Sequence, residues 1–203
     1  MPGLQNKLED YLRIVNYTMR YELQDNSIIQ FKFSKKSFPH MLGLHKLKDI
    51  PLIQKFNNPL DKMVSANYLI SKIKKGDLIE KDIQNSVYYN QIQKRYIRFD
   101  AERLFGLAYT DVIVDFEVNK LANSKLINTK YILYEAEQEG YKQLCIAEKG
   151  LNEYYAETFF FEPSDDYIRN QKTVKVKRVQ MIAPDGTIYL EDEFKSNELK
   201  NCP

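Results

Sequence analysis

The sequence predicts an α+β fold in which N-terminal and central helices pack on one curved antiparallel β-sheet. Three observations carry that expectation. Apolar residues recur at helical spacing through much of the first half, short alternating or apolar runs dominate from Asp111 onward, and no βαβ unit, Gly-rich phosphate loop or internal repeat interrupts this order. With 203 residues, 43% hydrophobic and 13% aromatic, the chain can bury a substantial core without staples. The expected organisation is one domain over 1–194, helix-rich in 1–107 and strand-rich in 111–194, with a polar tail over 195–203.

In chain order, Leu4, Leu8, Tyr11, Leu12, Val15 and Met19 form one apolar stripe and predict an amphipathic helix over 4–23. The period then changes. Ile29, Phe31 and Phe33 alternate with polar neighbours, as in a strand with one buried face. Pro39 suits the first turn of a helix, which is expected to run through His40 to Leu47. Residues 48–59 read as a loop. Helical spacing from Leu60 through Met63, Val64, Ile70 and Ile73 stops at Gly76, and Asp77 is the expected cap of a further helix over 78–92. Another helical piece is expected over 98–107.

The strands follow as an antiparallel meander: Val112 to Phe116, Tyr131 to Tyr134, Leu144 to Ala147, Tyr154 to Phe161 and Thr173 to Ile182. Pro184-Asp185-Gly186 then predicts a turn before Thr187 to Leu190. The run from Tyr154 to Phe161 is apolar or aromatic on both faces, which marks a central strand, with Thr158 as a lone hydroxyl.

Titratable chemistry concentrates in Ser34 to Lys48, which holds both histidines, His40 and His45, among lysines that include Lys46. Imidazole exchanges protons near neutrality, so these two are the first candidates for acid and base. Packing against Leu44 or Met41 is the alternative role. On one regular helix a five-residue step turns a side chain by about 140°, so the two rings would diverge. That spacing does not suit a shared metal, and no metal or other cofactor is expected. In KTVKVKRVQ, Lys175 and Lys177 oppose Val174 and Val176, and Arg178 beside Val179 implies a register break. This stripe could clamp phosphates or simply be a solvated strand face.

Cys145, in an apolar run, and Cys202, beside the terminus, fit neither a disulfide framework nor a paired-cysteine zinc site, which suits a reducing compartment. The absence of a membrane-length apolar run or a signal-peptide core gives a cytoplasmic, membrane-free expectation. A net charge of +2 does not by itself imply nucleic-acid binding.

Phe31-Lys32-Phe33, the run from Phe38 to Leu47, Thr158-Phe159-Phe160 and Tyr167-Ile168-Arg169 together resemble the phage-associated nucleases of the barnase, EndoU, colicin and RelE-like superfamily, in their fourth phage subgroup. The resemblance implies a helical layer on a curved sheet whose open face holds RNA and cleaves it without a metal. It implies proton transfer by His40 and His45, positive charge from Lys46 with Lys175, Lys177 or Arg178, and phosphate or substrate contacts from Thr158 and Arg169. A phage-linked toxin or effector with an antitoxin or immunity partner is the expected setting. A non-catalytic binding module on the same fold and a phage structural protein are the alternatives.

Overall fold

The computed structural model describes residues 3–60, 64–121, 124, 126–150 and 153–194. Cys202, Met63 and the polar tail lie outside them. Helix α1 (Leu4–Ile14) leads into strands β1 (Thr18–Leu23) and β2 (Ile28–Phe33). Six short helices follow: α2 (Phe38–Leu42), α3 (Pro51–Asn57), α4 (Ala66–Lys75), α5 (Glu80–Asn85), α6 (Gln93–Arg98) and α7 (Ala101–Ala108). Strands β3 (Val112–Asp115), β4 (Thr129–Glu137), β5 (Gly140–Gly150), β6 (Glu153–Glu162), β7 (Lys172–Ile182) and β8 (Ile188–Glu193) complete the chain.

The α+β order and the later strands agree with the pattern in the sequence, but the helical half is more broken than its periodicity suggests. The helix expected over 4–23 stops at Ile14, because Asn16 adopts φ 74° and turns the chain. Thr18–Leu23 then alternates as a strand, burying Met19, Tyr21 and Leu23. Residues expected to form a loop contain α3, which starts at Pro51. The helix expected over 78–92 breaks after Asn85. Asp49 draws the chain out there by accepting from the Ser86 hydroxyl at 2.5 Å and the Val87 N–H at 2.9 Å. Asp77 pairs with Lys72 at 2.9 Å, while Asp82 accepts from the Ile79 N–H at the start of α5.

The sheet departs from a single curved antiparallel layer in two ways. Strands β6-β5-β4-β3-β7 form the expected curved sheet, and the β1–β2 hairpin then bridges its two ends, β1 pairing with β7 and β2 with β6. The ring is therefore closed, with β8 added along β7. The β2–β6 contact is parallel, with Phe31 opposite Tyr154 and Phe33 opposite Ala156. Closure leaves no bare edges on those end strands.

Inward-facing side chains such as Tyr21, Phe31, Leu144, Phe159 and Val179 share one core with the apolar stripes of α1, α4 and α7. Tyr11 of α1 meets Phe33, Phe38 and Phe99 with ring centroids 5.4 to 6.4 Å apart. A second cluster, Val114, Phe116, Ile132, Cys145 and Phe160, covers the outer face of β3 to β6. The β4–β6 wall is thus buried on both faces, which explains its near-continuous apolar sequence. Cys145 is a buried free thiol.

Candidate active site

The segment from Ser34 to Leu47 is shaped by a division between apolar and polar side chains. Phe38, Met41, Leu42, Leu44 and Leu47 are fully buried and pin it to the core. That packing leaves His40, His45 and Lys46 on the other side. The Ser34 hydroxyl accepts from the Lys36 N–H at 3.3 Å at the start of the first turn, and Pro39 occupies the beginning of α2.

The helix ends at Gly43, where φ is 76° and the N–H returns to the carbonyls of His40 and Pro39. A separate 3-10 turn, Leu44–Lys46, follows. This break overturns the expectation that the histidines diverge: their rings lie with centroids 4.9 Å apart and planes inclined by 40°. Gly43 suits the position for a second reason. A Cβ there would sit 3.0 Å from both Arg95 Nη1 and Ile92 Cγ2.

Strand β6 supplies the floor. Cys145 pairs with Thr158 and Ile146 with Ala156, so Glu157 is the additional residue of a β-bulge. Ala156 and Phe159 face the inner core, and Glu157 and Thr158 therefore both turn outward. A cleft of about 1020 Å³ lies over this floor, lined by His40, His45, Lys46, Arg95, Thr158 and Glu162 among others. Aromatic walls come from Phe56, Tyr155, Phe160 and Tyr167, and Lys36 and Glu157 also line it. This volume is at the upper end of the range for small-molecule sites, roughly 300–1,000 Å³.

Arg95 of α6 ties roof to floor. Its Nη1 donates to the His40 carbonyl at 3.1 Å, an oxygen that also accepts from the Thr158 hydroxyl at 3.3 Å. The guanidinium stands 5.9 Å from the Phe160 ring centroid. Burial lowers its pKa to about 10, which leaves it cationic at neutral pH. Burial and then Arg95 lower His40, while burial, His40, Arg95 and Lys46 together bring His45 down to about 3. Both imidazoles are consequently neutral near pH 7, His45 being held furthest from protonation. Burial raises the carboxyls of Glu157 and Glu162, the latter opposed by Lys46 and Arg95.

Of the sequence candidates, His40, His45, Lys46 and Thr158 meet in this cleft. Arg169 lies in the turn after β6, with Asp166 at 3.2 Å and Asp165 at 3.9 Å, and does not line it. Lys175, Lys177 and Arg178 lie on β7, separated from β6 by β1 and β2 one way round the ring and by β3, β4 and β5 the other. The expected register break is present, since Leu23 opposes Val176 and Glu22 opposes Arg178. It nevertheless aims Lys177 at Glu22, 2.8 Å away, and Arg178 at Glu193, 2.5 Å away. The expected convergence of the β7 cations with the histidines is therefore not what the ring provides, and the open sheet face is replaced by the outer wall of a closed barrel.

Sequence reasoning missed Arg95, Glu157 and Glu162. Arg95 fell between two expected helices with no local signal, whereas the bulge doublet was detectable as Glu157-Thr158 inside an otherwise apolar strand. Among the described residues no group of three or more His, Cys, Asp or Glu is arranged to hold a metal ion, and no helix is long and apolar enough to cross a membrane.

A family model described as "phage-Barnase-EndoU-ColicinE5/D-RelE like nuclease4" matches residues 3–186. No curated protein and no solved structure matches the chain.

Proposed function

The chain belongs to this phage-associated nuclease family, and on that premise we propose that it is a metal-independent endoribonuclease whose proton transfers are made by His40 and His45. The observation that carries the proposal is the pair of imidazoles, 4.9 Å apart, in a nucleotide-sized cleft beside Lys46 and Arg95. Cleavage at a ribose requires a base for the 2′-hydroxyl proton, an acid for the departing 5′ oxygen and cations for the phosphorane-like transition state.

His40, which lines the cleft with its ring beside that of His45, takes the 2′-hydroxyl proton in this scheme. The attacking oxygen bonds to phosphorus as the bond to the 5′ oxygen breaks. His45, protonated from solvent once the bound phosphodiester has raised its proton affinity, delivers that proton to the leaving oxygen. A phosphodiester held between the rings offsets the neighbouring positive charge, raising the proton affinity of His45. Lys46 and Arg95 stabilise the phosphate charge, and Thr158 holds the His40 turn against the floor and contacts a phosphate oxygen. Phe56, Tyr155 and Tyr167 offer faces on which unpaired bases stack. A phage-linked toxin or effector, kept in check by an antitoxin or immunity protein, is the setting we propose for this activity.

The test is incubation of the purified chain with tRNA and bulk RNA in EDTA. We expect chelator-resistant cleavage that falls at least ~100-fold in His40→Ala and in His45→Ala. Full activity in the double variant would remove the mechanism, and loss of wild-type cleavage in EDTA would remove its metal independence.

A further inference from the structure

Gln143 is fully buried, and neither its amide oxygen nor its amide nitrogen has a hydrogen-bond partner among the described residues. Buried polar groups are nearly always paired, so an amide orphaned at both ends calls for an explanation. Its position in the fold supplies one. Gln143 lies on β5 directly opposite Phe160 of β6, one strand spacing behind a residue that lines the cleft. Tyr167 packs on Phe160 at 5.3 Å between centroids, and Ile168 joins the same outer cluster. The buried Nδ1 of His45, in the same cleft, is also without a partner. Among the described residues three carry such orphan atoms, and of these His45 lines the cleft while Gln143 lies one strand spacing behind its lining residue Phe160.

The segment that packs on Phe160 is held together largely by its own bonds. Between Pro163 and Gln171 its backbone bonds run within itself, from Ile168 and Arg169 to the Asp165 carbonyl and from Gln171 to the Ile168 carbonyl. Its side-chain pairs are also local: Ser164 with Asp166, and Arg169 with Asp165 and Asp166. Asn170 is in the left-handed region at φ 62°. Apolar packing of Tyr167 and Ile168, with Gln171 bonded to Glu117 at the far end, fastens it to the barrel. Lifting Tyr167 exchanges one aromatic contact for another if a base takes its place on Phe160.

We propose that Gln143 reads the base of a nucleotide bound at the Phe160 end of the cleft, and that the chain prefers adenine there. An amide offers one acceptor beside one donor, and the Hoogsteen edge of adenine offers the complement, the N6 amino group and N7. Guanine presents two acceptors on that edge and leaves the amide oxygen unpaired. The inference rests on the cleft being a nucleotide site, as in the proposed function, and adds the identity of the base.

Isothermal titration with adenosine, guanosine, cytidine and uridine 3′-monophosphates tests it without requiring turnover. The adenosine nucleotide is expected to bind at least ~10-fold more tightly than the other three. In Gln143→Leu that preference disappears, binding of all four persists at the weaker level, and the melting temperature stays level or rises because an unpaired amide is gone. If the leucine variant does not fold, Gln143→Met is read in the same way. Equal affinity for the four nucleotides, or an adenine preference surviving in the variant, overturns the inference alone. A stable variant that binds none of the nucleotides also overturns it, since the amide is then not a base reader. No binding of any nucleotide by the wild-type chain overturns the nucleotide reading of the cleft as well.

Discussion

Strands β6 and β7 have the same device and opposite outcomes. Each is long, each contains a β-bulge, and each bulge turns two consecutive residues outward: Glu157 with Thr158 on β6, Lys177 with Arg178 on β7. Over β6 the chain has laid α2, the Arg95 helix and the Tyr167 turn, so its bulge opens into a cleft. The β7 pair instead meets Glu22 and Glu193 on its own surface. Opposite charges satisfy one another in solvent there, a contact of little energetic weight. A charged strand becomes a candidate site when other elements enclose it, and charge alone does not select between the two walls.

The largest expected effect divides the walls directly. His40→Ala, His45→Ala and Arg95→Ala should each lower RNA cleavage by about 100-fold or more, the last because it removes the proposed transition-state cation and the anchor of the His40 carbonyl. Lys177→Ala and Arg178→Ala should leave the cleavage rate unchanged. Single-turnover rates on one defined RNA would check this, and a comparable loss on β7 would break the distinction.

A smaller effect is expected from two glycines that share a backbone conformation but differ in surroundings. Gly43 and Gly76 have φ of 76° and 77°, yet a Cβ at Gly76 meets nothing within 4 Å whereas one at Gly43 presses on Arg95 and Ile92. Either alanine substitution should cost about 1–2 kcal/mol through the left-handed backbone. Only Gly43→Ala should also slow cleavage, by up to ~100-fold, because it shifts the turn that pairs the imidazoles. Chemical denaturation beside kcat measurements separates the two consequences.

These glycines also show how far the sequence could be read. The β4 to β7 strands were legible because their two-residue alternation or continuous apolar runs survive in any register, and β6 was recognisable as central from aromatics on both faces. The β1 strand was not, since Leu12, Val15 and Met19 fit helical spacing until Asn16 reverses the chain. Losing β1 also concealed closure of the barrel. His40 and His45 stood out as the only histidines, but their convergence depends on one glycine dihedral, which no spacing rule for a continuous helix contains. Arg95 is brought to the cleft by tertiary packing across 55 residues of chain, a placement without a local signature.

The smallest effect sharpens the contrast between walls through acid sensitivity. The pKa of His45 is about 3 in the folded chain, against roughly 6.5 when unfolded. Between those values the unfolded chain binds a proton that the folded chain refuses, so stability falls as pH drops through this window, by up to about 1.4 kcal/mol per pH unit. His40, lowered for the same main reason, acts with the same sign. Glu157 and Glu162, raised by burial, act with the opposite sign but are common to wild type and variant. On the β7 wall, the Lys177 hydrogen bond lowers the Glu22 pKa from 4.5, so its contribution is lost only below that value. Denaturation at pH 7 and pH 5 should therefore show a loss of stability that shrinks by about 2 kcal/mol in His45→Gln, while Lys177→Met leaves the loss unchanged. An undiminished loss in His45→Gln would place the acid sensitivity outside the cleft.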